Sequence, residues 1–292
     1  MAKILILGDL HAKWHDLNSV MKNVDFNLKI PFDFVIQVGD FGFFPSEMLK
    51  LDKFTEIRTK RPTSLGCEVD YKPLKFHKKV YAIDGNHEDH KFIKKSNHEE
   101  WKEKYNIYYQ PRGSWMDIDG YKIGFMGGAL HCDRRQEGSI DSETTNYILN
   151  TQINKVIDDW NDVGGMDVII THSCPIGLNI GMEGHPALYM AAQKYIVDAG
   201  YGENIVDDCG DRPLTTLYNR LNKKPDHWFF GHFHRTKQII IDNTDFMCVG
   251  STDSSDHKKY INPLILNTKT NNVDYHDKKA MNFDGEHCTW VV

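Results

Sequence analysis

The sequence predicts an α/β domain, with parallel strands at its start and antiparallel or mixed strands in its second half. Three observations carry that reading. Lys3 leads into Ile4-Leu5-Ile6-Leu7, a run that Gly8 breaks. An uninterrupted Ile/Leu run of this kind marks a strand buried on both faces. Trp14, Leu17, Val20, Met21 and Val24 follow at helical steps, and Asp33 to Val38 is a second apolar run. Strand, helix and strand at this spacing make a right-handed βαβ unit. Third, the apolar segments Trp115–Ile118 and Tyr121–Met126 flank Asp119-Gly120, a β-hairpin signal.

The elements follow in order. Residues 41–75 open on the aromatic loop Phe41-Gly42-Phe43-Phe44-Pro45 and continue polar. They are either a surface excursion or a rim or lid over a site. A third strand, Lys79 to Ile83, precedes Asp84-Gly85-Asn86-His87-Glu88. Residues 89–106 read as helix, and Tyr108 to Pro111 with Gly113 as a turn. The hairpin strand leaves through Gly127-Gly128-Ala129-Leu130-His131. Ile140 to Trp160 reads as helix, with Ile148, Ile153, Val156, Ile157 and Trp160 on one face. The strand Asp167 to Ile170 ends in Thr171-His172. A polar insertion with helical pieces covers about 176–224, and His227 to Phe230 runs into Gly231-His232-Phe233-His234. Short strands at 238–241, 246–249 and 264–266 follow, and from 267 the chain is polar and weakly ordered in appearance. No internal repeat or linker is visible. The expected organisation is a single domain over 1–270, with insertions at about 41–75 and 176–224, and a polar tail over 271–292.

Composition narrows the function classes. A chain of 292 residues with 40% hydrophobic content can bury a large single core or two modest ones. The formal net charge of −6 gives no general attraction to nucleic acid or anionic membrane. No run approaches the roughly 20 apolar residues of a membrane span, and the first residues are too short a run for a signal-peptide core. The six cysteines are scattered without a Cys-x-x-Cys pair. They read as free thiols of a reducing compartment, which makes the cytoplasm the expected location.

The strand ends carry the chemistry. Asp9 and His11, Asp40, Asn86 and His87, His172, and His232 and His234 each follow an apolar run directly. Ligands in open α/β sheets gather beyond the carboxyl ends of strands, so these distant residues have a reason to meet. Two carboxylates, an amide and several imidazoles suit first-row ions such as zinc, iron or manganese rather than calcium. Of the 15 histidines, His15, His77, His90, His98, His257 and His276 are read as ordinary core or surface residues.

Gly8-Asp9-x-His11, Gly39-Asp40, Gly85-Asn86-His87-Glu88, Thr171-His172 and Gly231-His232-x-His234 together resemble, in order, the motifs of the calcineurin-like metallophosphoesterases. The resemblance covers about residues 3–250. It implies a four-layer αββα sandwich, two mixed sheets packed together with helices outside. It also implies two divalent metal ions (manganese favoured, with iron, zinc or nickel as other candidates). One would take Asp9, His11, Asp40 and His234, the other Asp40, Asn86, His172 and His232, with Asp40 bridging. A pair of ions about 3.5–4 Å apart can hold hydroxide for in-line attack on phosphorus. By the same resemblance His87 is catalytic, stabilising the transition state or protonating the leaving group.

The pattern departs from the family at one place. Many relatives carry an acidic residue or an Asp-Arg pair after the second motif, where this chain has Phe41, Gly42, Phe43 and Phe44. That argues against classical protein phosphatase activity. A replacement cation for substrate phosphate could come from Arg112, Arg134 or Arg135; the last two either reach the site or start a solvated helix. The leading expectation is a dinuclear phosphoesterase for a small or nucleotide-like mono- or diester. The alternatives are a serine/threonine-type protein phosphatase, a nuclease, and a scaffold that has lost catalysis. The acidic balance argues against a nuclease. The full complement of seven expected ligands and His87 argues against the scaffold. A mononuclear site also remains compatible with the sequence.

Overall fold

The computed structural model describes residues 1–43, 75–132, 145–181, 208–252, 260–261, 264–275, 281–283 and 288–290. In chain order the first strands are β1 (Lys3–Leu7), β2 (Phe34–Gln37), β3 (Val80–Ala82), β4 (Ile107–Tyr109), β5 (Trp115–Ile118), β6 (Tyr121–Met126) and β7 (Val168–Thr171). They are followed by β8 (His227–Phe230), β9 (Lys237–Ile241), β10 (Thr244–Cys248), β11 (Tyr260–Ile261), β12 (Leu264–Asn267), β13 (Asn272–Tyr275), β14 (Met281–Phe283) and β15 (Cys288–Trp290). The helices are α1 (Trp14–Lys22), continued by a π-helical turn over Asn23–Asn27, then α2 (His90–Lys95), α3 (His98–Tyr105), α4 (Asn150–Asp162) and α5 (Arg212–Arg220).

Two six-stranded sheets form the body, in the orders β13-β12-β1-β2-β3-β4 and β5-β6-β7-β8-β10-β9. In the first, β1 to β4 are parallel, β12 pairs antiparallel with β1, and β13 pairs antiparallel with β12. In the second, β6, β7, β8 and β10 are parallel, with β5 and β9 antiparallel at the edges. Strands 11, 14 and 15 make a separate small sheet.

Side-chain alternation along the strands explains why their sequences are apolar throughout. In β1, Ile4 and Ile6 enter a core between the sheets with Ile36, Phe125, Ile170, Phe229 and Met247. Leu5 and Leu7 enter a second core beneath α1, with Leu17, Val20, Met21 and Val35. In β8 and β10, Trp228, Phe230 and Phe246 face a third core made with Val156, Trp160, Leu214 and Leu217 from α4 and α5. Successive residues of a strand point to opposite faces, so a strand with a core on each side must be apolar at every position. Three cores separate four layers, which is the expected αββα sandwich.

Several local expectations are corrected. Ile107–Tyr109 is a strand, not part of a turn, because Ile107 pairs with Val80 and buries its side chain. The helix expected from Ile140 begins only at Asn150 within the described residues. The carbonyls of Thr145 and Tyr147, which a helix would use, accept from Arg112 instead. Phe41 and Phe43 are neither rim nor lid. Both are buried against Trp14, Phe76, Trp101 and Tyr109. Within the region read as a polar insertion, α5 packs Leu214 and Leu217 into the core. The segment from 267 that looked weakly ordered contributes β13, which extends the first sheet. Residues 44–74 and 182–207, the bulk of both expected insertions, lie outside the described residues. Among the described residues no helix is long and apolar enough to cross a membrane.

Candidate metal centre

The carboxyl ends of β1, β2 and β3 in one sheet and of β7 and β8 in the other supply one cluster. Asp9, His11, Asp40, Asn86, His87 and His172 are all buried there, while His232 and His234 are partly exposed. The backbone turns sharply to bring them in. His11 (φ 48°), Asp40 (φ 52°), His232 (φ 68°) and His234 (φ 52°) all adopt left-handed conformations. Such conformations are uncommon for these residues and gather at functional sites. Neighbouring glycines make the room. A Cβ on Gly231 would collide with the Asp9 carboxylate, and one on Gly85 with the Asp40 carboxylate. The glycine of each of these motifs therefore accommodates a candidate ligand from another.

Two groups of donor atoms converge. In the first, His11 Nε2 lies 3.0 Å from His234 Nε2, and His234 Nε2 lies 3.0 Å from Asp9 Oδ2. In the second, His172 Nε2 lies 3.3 Å from Asp40 Oδ2 and 3.0 Å from Asn86 Oδ1. Candidate ligand atoms of Asp9, His11 and His234 fall within 4.8 Å of one another, as do those of Asp9, Asp40 and His172. Asp9 is common to both groups; Asp40 Oδ2 is also 3.9 Å from His11 Nδ1, and its Oδ1 accepts the His87 backbone N–H at 2.8 Å. His172 Nδ1 faces the Val38 carbonyl at 2.8 Å, which fixes Nε2 toward the cluster. The Asp9 Oδ1 accepts the His232 N–H at 3.0 Å.

Electrostatics suit a cation. Burial pushes the Asp40 carboxyl up, but the imidazoles of His172, His87 and His11 outweigh it and hold the acid well below its ordinary range. Burial lowers His172, yet Asp40 and Asp9 raise it to about 9. Burial, with His172 beside it, drives His232 well below its ordinary value. Imidazole nitrogens crowded around buried carboxylates are the donor set of a first-row divalent ion. The residues present fit the metals that the motifs imply.

The expected site residues divide by position. Asp9, His11, Asp40, Asn86, His87, His172, His232 and His234 lie together. Arg112 is engaged elsewhere: its Nε and Nη2 donate to Asp84 Oδ2 at 2.9 and 2.6 Å, and the remaining groups to carbonyls of 145–147. Its guanidinium braces the loops beside β3. Arg134 and Arg135 lie outside the described residues.

Three residues at the cluster were not singled out from sequence. His131 Nδ1 lies 2.9 Å from Asn86 Nδ2, and its ring lies edge-on to His87 at 5.3 Å. Cys132 Sγ lies 3.4 Å from His232 Nε2. Both follow the exit of β6, a sixth strand end whose signal was the Gly127-Gly128 pair. Glu88 clamps the turn after Asp40 by accepting the backbone N–H groups of Phe41, Gly42 and Phe43.

Residues 2–236 match the family model described as calcineurin-like phosphoesterase. No curated protein sequence matches the chain. Solved structures share the architecture at low identity. One crystal structure has a TM-score of 0.59 at 14% identity, covering 94% of this chain and 99% of its own. TT1561 of Thermus thermophilus gives 0.55 at 10% identity, with 94% and 97% covered. A Staphylococcus aureus protein provisionally named a 5'-nucleotidase gives 0.51 at 13%, covering 99% of this chain but 53% of that one. At such identities the likeness is one of fold.

Proposed function

The chain belongs to the calcineurin-like phosphoesterase family, and from that membership we propose that it hydrolyses a phosphate mono- or diester with two divalent ions. The single observation that carries this reading is the meeting of the His11 and His234 Nε2 atoms at 3.0 Å, with Asp9 beside them and Asp40 between them and His172. Two imidazole nitrogens facing each other beside a carboxylate are accounted for by a shared cation. In this reading Asp9, His11, Asp40 and His234 hold one ion, and Asp40, Asn86, His172 and His232 the other. The ions, with manganese preferred, would supply Lewis-acid activation of water and neutralise charge on the phosphate oxygens.

The chain's own residues do the rest. The Asp40 Oδ1 anchors the His87 backbone and sets its ring beside the cluster, where it can pass a proton to the leaving oxygen. His172 is held by the Val38 carbonyl and cannot turn away. The test is elemental analysis of protein incubated with manganese, followed by assay on nitrophenyl phosphate and bis-nitrophenyl phosphate. Metal uptake with hydrolysis of either ester is expected. A protein that takes up no metal, or takes it up and cleaves neither ester nor a cyclic nucleotide or phosphopeptide, overturns the reading.

A further inference from the structure

We propose that the loop leaving β6 positions two ligands of the second ion, with His131 orienting Asn86 and Cys132 orienting His232. The inference rests on the two-ion reading above and adds residues that the family motifs do not contain. It begins with the Asn86 amide. That group has one acceptor end and one donor end. Its Oδ1 faces His172 Nε2 at 3.0 Å, on the side where Asp40 Oδ2 also points. Its Nδ2 faces His131 Nδ1 at 2.9 Å. An amide N–H must donate, so His131 Nδ1 carries the lone pair and the ring proton sits on Nε2. Flipping the amide would aim two N–H groups at the cation and lose the bond to His131. His131 is completely buried, so water cannot take over as acceptor without repacking.

The neighbouring residue repeats the device. The Cys132 sulfur lies 3.4 Å from His232 Nε2. With Nε2–H donated to sulfur, Nδ1 of His232 keeps its lone pair and would be the nitrogen offered to the second ion; the ring stands 5.1 Å from that of His172. Both positioned residues belong to the same expected ion; Asn86 touches none of Asp9, His11 and His234 in the contacts above, and His232 meets Asp9 through its backbone N–H rather than its ring.

The loop is itself held in register. Gly128 N–H donates to the Asp84 carbonyl at 2.9 Å, and Ala129 N–H to the Asn146 carbonyl at 2.9 Å. Gly127 passes so close to the Asp84 carboxylate that a Cβ would collide with it. Asp84 is in turn locked by Arg112. The arginine expected at the substrate thus braces the loop that aims Asn86.

Outer partners of metal ligands typically change affinity by about 10–100-fold when removed. The experiment is stepwise Mn²⁺ titration of metal-free protein, read by calorimetry and by electron paramagnetic resonance. Wild type should bind two ions and give the exchange-coupled signal of a manganese pair. His131→Ala should weaken the second ion by about 10–100-fold and leave the first unchanged, so that the isolated six-line spectrum persists to higher metal. His131→Asn, whose Oδ1 can take the place of Nδ1, should restore the pair. Cys132→Ala should act in the same direction with a smaller effect. Thermal melts of the metal-free variants separate this from misfolding. Equal weakening of both ions, no weakening, or an Asn variant as poor as Ala overturns the inference while leaving the two-ion reading intact. A wild type that never binds a second ion overturns both.

Discussion

Asp40 is the residue that both ions would share in the proposed reading. It sits at φ 52° and touches His11, His87 and His172 with two oxygens. Asp40→Asn should lose metal content and turnover together, by elemental analysis and ester assay; full metal content would count against a bridging role. His87→Ala should keep its metal and lose about 10²–10⁴-fold in kcat, the usual span for a general acid. A variant that loses metal instead would make His87 a ligand. The eight clustered residues were legible because each stands directly beyond an apolar run. His131 and Cys132 were not, because Ala129 and Leu130 separate them from the Gly127-Gly128 break. The left-handed backbone at His11, Asp40, His232 and His234 was also hidden, since no sequence rule places non-glycine residues there. The pairing of Arg112 with Asp84 was hidden too, because a sequence shows a cation without showing its partner.

At the scale of elements, the turn after β2 is held from across the sheet by Glu88. Burial and the nearby Asp40 carboxylate push the Glu88 acid well above its usual range, while the Phe43 and Gly42 N–H groups pull it back. Glu88→Ala would leave three buried backbone donors without that acceptor, at about 1–3 kcal/mol each. Chemical denaturation should show a loss of about 3 kcal/mol or more, and a smaller one for Glu88→Gln. At β8, burial lowers His227, but Asp245, 3.6 Å away, and the Asn271 carbonyl raise it above 6.5. A raised histidine stabilises the fold below its unfolded value of 6.5 and loses that contribution as pH rises through the raised value. Melting temperature should therefore fall more steeply above pH 6.5 in wild type than in Asp245→Asn. The helices and strands with clear periods were readable. β4 was not, since three residues beside Pro111 and Gly113 carry no period. The loop at Phe41 and Phe43 was readable, but its burial beneath α1 and α3 was not, because that depends on contacts made far along the chain.

For the whole molecule, the residues alone gave an α/β domain, and the four layers came from the motif resemblance. What the residues could not show is that the alternation in β1, β8 and β10 divides their apolar side chains between separate cores. Phe229 lies in the core shared by the two sheets, and Phe229→Ala should cost about 3–5 kcal/mol, read by calorimetry. The candidate ligands also divide by sheet. Asp9, His11, Asp40 and Asn86 extend from one, and His172, His232 and His234 from the other. A cation gripped from both sides would fasten the two halves like a clasp at the open end of a book. Chelation should then do more than abolish the proposed hydrolysis. It should lower the melting point and let amide protons along the mouth of the seam exchange sooner than those near its spine.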